Sequence, residues 1–355
     1  MIQKSSKALS IWLFIVCFFI GIMVVFGGFV RLTRSGLSMV EWHVITGVIP
    51  PMGEENWQET FEKYRQTPEY LKVNVDMSLE EYKSIYYKEY FHRLLGRLTG
   101  SIFVIPLFIF LIRRTIPLRE SLVYLGIGLL FALQGFMGWY MVSSGLVDQP
   151  NVSHYRLVVH LLLALILLAL CFWTGLNNAL GFQALKRWSE QSTFLRLSIG
   201  LIMVLTIQVS YGGFVAGLKA GYMSSTFPLM LGHVIPPDLL SGLQPWPKNL
   251  VANAITVHFI HRWFAFVVLV FSIALFWVAR KENYSRTIQS STLILLILIG
   301  IQIVLGVSVI WWFVPLSLAL IHQAMALMLY MVAFFMIHRS LASSTEILSG
   351  GRHDG

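Results

Sequence analysis

Charge is scarce in this sequence. Of its 355 residues only 12% are Asp, Glu, Lys or Arg, against roughly 25% in a soluble domain. That scarcity excludes a disordered chain, a coiled coil and an ordinary soluble enzyme. Cysteine is scarcer still: Cys17 and Cys171 are the two present, both inside apolar runs. They supply neither an extracellular disulfide nor a CxxC metal site. Hydrophobic side chains take the space instead, at 56% of the chain. The class is an all-α polytopic membrane protein with the lipid bilayer as its solvent. The net charge of +9 does not call for nucleic acid, because Lys and Arg of membrane proteins collect in cytoplasmic loops.

Eight segments reach the roughly 20 apolar residues that a spanning helix needs. They cover residues 9–30, 92–112, 120–142, 156–178, 195–216, 255–279, 289–311 and 316–338. The first follows Lys4 and Lys7 and has the outline of a signal peptide. Its apolar run is too long for one, and Val24-Val25-Phe26-Gly27-Gly28 makes a poor cleavage site. No Arg-rich, Ser-rich transit peptide precedes it, so the expected location is a bacterial plasma (inner) membrane. Charge alternates between the short loops. Arg113, Arg114 and Arg119, then Lys186, Arg187 and Arg196, then Arg280, Lys281 and Arg286 mark three loops, whereas Ser143 to His154 and Trp311 to Ser317 carry no Lys or Arg. The positive-inside rule then puts both termini in the cytoplasm, with residues 341–355 a cytoplasmic tail. Segments 31–91 and 217–254 face outward.

The first outward segment holds 10 of the 17 acidic residues. One helix is expected from Glu54 to Arg65, ending before Pro68. A second is expected to start at Ser78, with Glu81 completing a capping box. Leu79, Tyr82, Ile85 and Tyr86 form one apolar stripe on it, and it runs on into the second span with Glu89 and His92. The segment reads as an amphipathic cover, with a substrate-gating or partner role as the alternative.

The chain also repeats itself. Gly27-Gly28-Phe29-Val30 recurs as Gly212-Gly213-Phe214-Val215, and Val48-Ile49-Pro50-Pro51 as Val234-Ile235-Pro236-Pro237. His92-Arg93 matches His261-Arg262, Gln134 and Gly138 match Gln302 and Gly306, and His160 matches His322. Four spans per repeat is an even number, so both repeats have one orientation, related by an axis along the membrane normal. The expected architecture is two tandem, pseudo-symmetric four-helix bundles, residues 1–190 and 191–340. The Gly-Gly pairs are expected to permit close packing or a tight exit turn.

Ten histidines stand in the chain. His338 and His353 read as snorkelling or tail residues near the cytoplasmic side, and His43, His154 and His233 as polar surface. His92, His160, His261 and His322 differ, because each repeat puts one on its second helix and one on its fourth at matched depth. An ionisable side chain inside a span is costly and marks function by default. Two histidines facing across a four-helix bundle can hold a heme iron from both sides. Arg93 and Arg262 stand ready for heme propionates. The competing reading is four core histidines bonded to neighbouring helices; zinc would need a third clustered ligand in each bundle. His258 precedes His261 by one turn, where Glu89 precedes His92. Glu89 can act as an acid/base group or stabilise positive charge, or it can simply pair with Arg93; the residues alone leave both open.

These residues resemble a known family, the heme A synthases, in the form found in alphaproteobacteria and mitochondria. The pieces are Gly28-Phe29-Val30-Arg31-Leu32-Thr33-Arg34-Ser35-Gly36-Leu37-Ser38-Met39, Gly47-Val48-Ile49-Pro50-Pro51, Glu89-Tyr90-Phe91-His92-Arg93, Tyr155-Arg156-Leu157 with His160, and His261-Arg262-Trp263. The likeness covers about residues 10–340. It implies conversion of heme O to heme A for cytochrome oxidase, by oxidising the methyl at carbon eight to a formyl group through two hydroxylations. It further implies a permanent heme b on His261 and His322, substrate heme on His92 and His160, and Glu89 as the catalytic carboxylate. The first outer loop lacks the cysteine pair that some bacterial members carry there. The implied partners are heme O, heme O synthase, an electron acceptor and further copies of the chain. A diheme electron-transfer cytochrome and a heme transporter are the alternative functions, and the Glu89–His258 asymmetry favours the enzyme over a pure electron carrier.

Overall fold

The computed structural model describes residues 6–42, 46–181, 192–237 and 239–349. Lys4, His43, Lys186, Arg187 and His353 lie outside the described residues. Eleven α-helices follow in order: α1 Lys7–Leu32, α2 Glu54–Arg65, α3 Pro68–Lys72, α4 Leu79–Ile112, α5 Leu118–Ser143, α6 His154–Leu180, α7 Thr193–Gly217, α8 Asn249–Ala252, α9 Ala254–Lys281, α10 Arg286–Trp311 and α11 Leu316–Ser349. Eight of them are long and apolar enough to cross a membrane: α1, α4, α5, α6, α7, α9, α10 and α11. These are the eight expected spans. No β-strand occurs among the described residues; Met230 and His233 form an isolated bridge in the second outer segment.

Side-chain caps fix several starts. Glu81 N–H donates to Ser78 Oγ (3.3 Å) and Ser78 N–H donates to Glu81 Oε2 (2.8 Å), so the expected capping box opens α4. Ser192 Oγ accepts from Leu195 N–H at the start of α7 (3.2 Å). Asn253 Oδ1 accepts from Ile255 and Thr256 N–H at the start of α9. Each bond satisfies one of the amides that a first turn leaves without an intrahelical partner. α2 runs from Glu54 to Arg65 as expected. Pro68 does more than end a helix. It opens α3, with Thr67 Oγ1 accepting from Tyr70 N–H (3.3 Å), because its fixed φ and missing N–H suit a first helical position.

The chain divides into two compact units, one of Val16–Leu168 and one of Met1–Ile15 with Ala169–Gly355. The division falls inside α1 and α6 rather than in a loop. In the second of these, α7 packs on α9, α9 on α10, α10 on α11 and α11 on α7, a closed ring of four helices. In the first, Phe26 of α1 stacks on His92 of α4, Phe103 of α4 on Phe131 of α5, and Cys17 Sγ of α1 contacts the Leu168 carbonyl of α6.

The first outer segment has a core of its own. Met39, Trp57, Phe61, Tyr64, Tyr82, Ile85, Tyr86 and Tyr90 are buried together, with Leu79 packed against them. The apolar stripe read from the sequence is therefore the floor of this core. Tyr82 sits at its centre, fully buried, and its hydroxyl donates toward the carbonyls of Ser38 (3.2 Å) and Thr60 (3.3 Å). One histidine departs from expectation. His338 does not snorkel: it is fully buried, with Nε2 3.1 Å from Asn177 Oδ1 and its ring edge-on to Trp173. His233 is exposed in its turn, and His154 opens α6 with its ring against Tyr155.

Because Tyr82 joins three elements of the outer core, Tyr82→Ala should destabilise the protein by about 3–5 kcal/mol, the range for truncating a large buried aromatic. Tyr82→Phe loses only the hydroxyl and should lose about 1 kcal/mol. Thermal unfolding of the detergent-solubilised protein measures both, and limited proteolysis should cut the alanine variant first between residues 46 and 78.

Candidate functional site

The four matched histidines have a common setting, built from residues four apart on the facing helix. Such residues share one helix face. On α7 these are Gln208 and Gly212, which meet His261 of α9. A Cβ placed on Gly212 would lie 3.2 Å from the His261 Cε1. One turn away, Gln208 Nε2 donates to the His261 carbonyl oxygen (3.0 Å) and lies 3.3 Å from the ring Nδ1. On α10, Gly306 would meet Cε1 of His322 on α11 at 3.1 Å. There Gln302 Nε2 lies 3.0 Å from the His322 carbonyl and 3.5 Å from its Nε2. On α5, Gly138 would meet Cε1 of His160 on α6 at 3.2 Å. Gln134 Nε2 lies 3.2 Å from the His160 carbonyl and 3.4 Å from its Nε2. On α1, Gly27 would meet Cε1 of His92 on α4 at 3.2 Å, and the residue one turn earlier is Met23. Phe26 stacks on that ring instead, with centroids 6.0 Å apart and planes 22° apart.

The Gly-Gly pairs thus serve packing. Gly27 and Gly212 lie inside α1 and α7, which continue past them to Leu32 and Gly217. No exit turn occurs there.

The histidines fit a two-ligand metal group. An imidazole nitrogen lies about 1 Å from its ring centre and binds a metal at about 2 Å, so two rings on opposite sides of one ion have centres about 6 Å apart. The His261 and His322 centroids are 6.5 Å apart. The Nδ1 atoms of His92, His160 and His322 are buried without a hydrogen-bond partner, as are the Oε1 atoms of all three glutamines. Unsatisfied buried polar atoms are rare and ask for an explanation. Among the described residues no cluster of three or more His, Cys, Asp or Glu could hold a metal ion. A macrocycle that supplies four equatorial donors and needs two axial ones suits this donor set; zinc held by side chains alone does not.

Beside each α4 or α9 histidine stands an arginine clamp. Arg93 Nε and Nη2 donate to Glu89 Oε1 (3.1 and 2.6 Å), Nη1 to the Glu41 carbonyl and Nη2 to the Met39 carbonyl (both 2.9 Å). Glu89 Oε2 accepts from Ser38 N–H (2.8 Å), Ser38 Oγ–H (2.7 Å) and Met39 N–H (3.0 Å). Glu89 is only 2% exposed, and both its oxygens face donors alone. Arg262 holds the other unit the same way. Its Nε donates to His258 Nε2 (3.0 Å), Nη1 to the Thr226 carbonyl (2.7 Å) with Leu229 at 3.4 Å, and Nη2 to the Ser224 carbonyl (2.9 Å). Each arginine thereby pins an outer loop onto the helix that carries a histidine. A guanidinium has five N–H groups; the four bonds given for each leave one N–H without an acceptor among the described residues.

An outer cavity of about 380 Å³ opens beside the first clamp, lined in part by Glu41, Lys63, Tyr86, Arg93, Arg97 and the Ile49-Pro50-Pro51 turn. Lys63 is held above its ordinary range by hydrogen bonds to Glu41 and Glu59. The sequence reading singled out the histidines, both arginines and Glu89, and the structure puts them together as two sets: Glu89, His92, Arg93 and His160 in one unit, and His258, His261, Arg262 and His322 in the other. It missed Gln208 and the loop carbonyls. A signal was present: Gln-x-x-x-Gly occurs at 134, 208 and 302, and only two of those were matched.

Comparison with known proteins gives a concordant picture. The family model described as COX15-CtaA, cytochrome oxidase assembly protein, matches residues 10–334. A heme A synthase of Nitrosospira multiformis is 46% identical over 334 residues, covering 94% of this chain and 93% of that protein. A heme A synthase of a Wolbachia from Brugia malayi is 42% identical over 329 residues, with 92% and 95% covered. One from Flavobacterium psychrophilum is 40% identical over 344 residues, with 95% and 99% covered.

The first clamp makes a prediction of its own. An amide at position 89 would turn an NH2 group toward N–H or O–H donors whichever way it is placed. Glu89→Gln should therefore destabilise the protein by roughly 3–5 kcal/mol, as expected for an uncompensated buried arginine. Glu282→Gln, at an exposed position, should change nothing. Thermal unfolding of the two variants side by side tests the clamp, and equal midpoints would refute it.

Proposed function

The chain belongs to the COX15-CtaA family of cytochrome oxidase assembly proteins, and on that premise we propose that it is a heme A synthase. This is a multi-pass membrane oxidoreductase that takes heme O as substrate and returns heme A. The observation that carries the reading is the pair of matched imidazole sets, one flanked by a carboxylate and the other by a further imidazole. A plain electron carrier has no use for that difference.

In this reading His92 and His160 bind the substrate iron. His261 and His322 would hold a heme b. When bound, that heme supplies one-electron redox chemistry and so a route for electrons out of the substrate site. Arg93 and Arg262 each offer their remaining N–H to a propionate while they keep the outer loop closed over the histidine. Two successive two-electron oxidations convert the methyl at carbon eight to a geminal diol, each adding a hydroxyl from water, releasing two protons to the surrounding water and passing two electrons to the membrane acceptor, and loss of water leaves the formyl group. Glu89 stands one helical turn from His92, at the rim of the substrate. Its carboxylate, held in place by Arg93, Ser38 and Met39, balances positive charge developing at the oxidised carbon. The setting is the bacterial inner membrane with both termini in the cytoplasm, where heme O synthase would supply the substrate and a membrane electron acceptor would take the electrons. The duplication makes the two sites descendants of one four-helix unit.

Expression with a source of heme O, extraction of the non-covalent pigments and identification by mass tests the function. Heme b together with heme O, its hydroxylated intermediate or heme A is expected; heme b alone would refute the reading. His261→Ala or His322→Ala should lose or shift the heme b absorption. His92→Ala and His160→Ala should abolish heme A while sparing heme b. The reverse pattern would exchange the two sites. Glu89→Asp, which withdraws the carboxylate by about 1 Å, should lower heme A per bound heme roughly a hundredfold.

A further inference from the structure

Four helices present the same surface to an imidazole, with one exception. Gln134, Gln208 and Gln302 each stand one turn before the glycine under a ring. Met23 stands there on α1. The orientation of each amide follows from its partner. A carbonyl oxygen only accepts, so the atom 3.0 to 3.2 Å from each histidine carbonyl is the NH2 nitrogen. The same nitrogen reaches a ring nitrogen of that histidine at 3.3 to 3.5 Å. One amide thus abuts both the backbone and the ring of its histidine, and the glycine closes the far side. His92 has the glycine but no amide. Its other neighbour is the apolar face of Phe26. The Met23 methyl points elsewhere, 3.4 Å from where a Cβ of Gly96 would stand, one turn beyond His92.

We propose that Gln134, Gln208 and Gln302 are positioning residues for the axial histidines, each acting through the histidine's backbone carbonyl, and that Met23 leaves His92 without such a tie. The site of His92 and His160 therefore releases its heme, and the site of His261 and His322 retains its own. The inference rests on the assignment of substrate and cofactor sites given above and adds the device that makes them differ. Partners outside a metal's ligand set orient the ligands, and losing one lowers metal affinity about 10–100-fold. Three of the four histidines have such a partner on the backbone carbonyl beside the ring; the ring-nitrogen contact adds no bond, because an NH2 cannot accept from the N–H of a metal-bound imidazole. A substrate site needs one that gives way, because heme O enters and heme A leaves through the same axial bonds.

The test uses purified full-length protein expressed with a source of heme O and mixed with excess apomyoglobin as heme scavenger. Heme appearing in myoglobin is timed and identified by mass, so the two sites report separately. Wild type should give up heme O and heme A quickly and heme b slowly. Met23→Gln should slow loss of heme O and heme A about 10–100-fold and leave heme b unchanged. Gln208→Met and Gln302→Met should each speed heme b loss by a similar factor and alter its low-spin electron paramagnetic resonance signal, which a remote packing defect would not move. Gln134→Met should speed loss of heme O further.

The glutamine variants lie on different helices, so failure of one to fold leaves the others as tests. Wild-type release of heme O and heme A from Met23→Gln, with its heme b signal intact, overturns the proposal and leaves the site assignment standing. Wild-type retention of heme b by both Gln208→Met and Gln302→Met overturns it equally. Wild-type protein that carries heme b alone refutes the assignment itself, and the proposal falls with it.

Discussion

The site depends on an imidazole edge lying against helix backbone with no side chain between them. At Gly27, Gly138, Gly212 and Gly306 a single added methyl would stand 3.1 to 3.2 Å from an imidazole carbon, closer than packed atoms ordinarily sit. That contact fixes how near each pair of helices comes. It also makes one wall of every histidine's setting out of backbone, the stiffest material a helix has. Small residues at helix contacts are the usual means of close approach in membranes. Here the space they free is filled by an imidazole rather than by the neighbouring backbone.

Two arginines then connect these helices to the aqueous side. Arg93 and Arg262 each follow an α4 or α9 histidine directly and hold loop carbonyls at Glu41 and Met39, or at Ser224 and Thr226. An outer loop moved off its helix would leave a buried guanidinium unsatisfied, which opposes opening strongly. The loops thus travel with the histidine helices, and the rim of each site is defined by the chain that covers it. In the first unit the aromatic core around Tyr82 adds to the same end, because Tyr82 also bonds the Ser38 carbonyl.

The sequence disclosed the spans readily, since runs of apolar residues between charged loops leave few alternatives in lipid. The capping box of Ser78 and Glu81 disclosed the start of α4, and the helical stripe through Tyr82, Ile85 and Tyr86 disclosed which face of it is covered. The candidate site residues were legible as far as type and spacing go: histidines recurring in register on apolar helices, with His92 and His261 each followed by arginine. Contacts across long separations were not. Nothing local links Ser38 to Glu89, 51 residues apart, or Ser224 to Arg262, 38 apart. His338 misled for a related reason. A histidine near a helix end reads as polar surface until a partner such as Asn177, 161 residues away, is placed against it.

Charge carries the difference between the two sites further than Met23 alone. In the first unit Arg93 is neutralised by Glu89 at 2.6 Å, with side chains 6% and 3% exposed. In the second, the matched partner is His258, and the acceptors of Arg262 are that ring and the carbonyls of Ser224, Thr226 and Leu229. No carboxylate is paired with Arg262 among the described residues. Its positive charge therefore stays available at low local dielectric, where an anion such as a propionate is attracted more strongly than in water. The first site offers a balanced pair and so a weaker pull. On the proposed assignment, a heme with anionic propionates would be held twice over in the second unit, by two histidines tied at their carbonyls and by a guanidinium with no carboxylate partner, and more loosely in the first on both counts. Exchange of glutamine for methionine and of imidazole for carboxylate push the same way: on the proposed assignment they would turn one of two like histidine pairs into a place of passage. The carboxylate that neutralises Arg93 there is also the group to which the proposed function gives the chemistry at the substrate's rim.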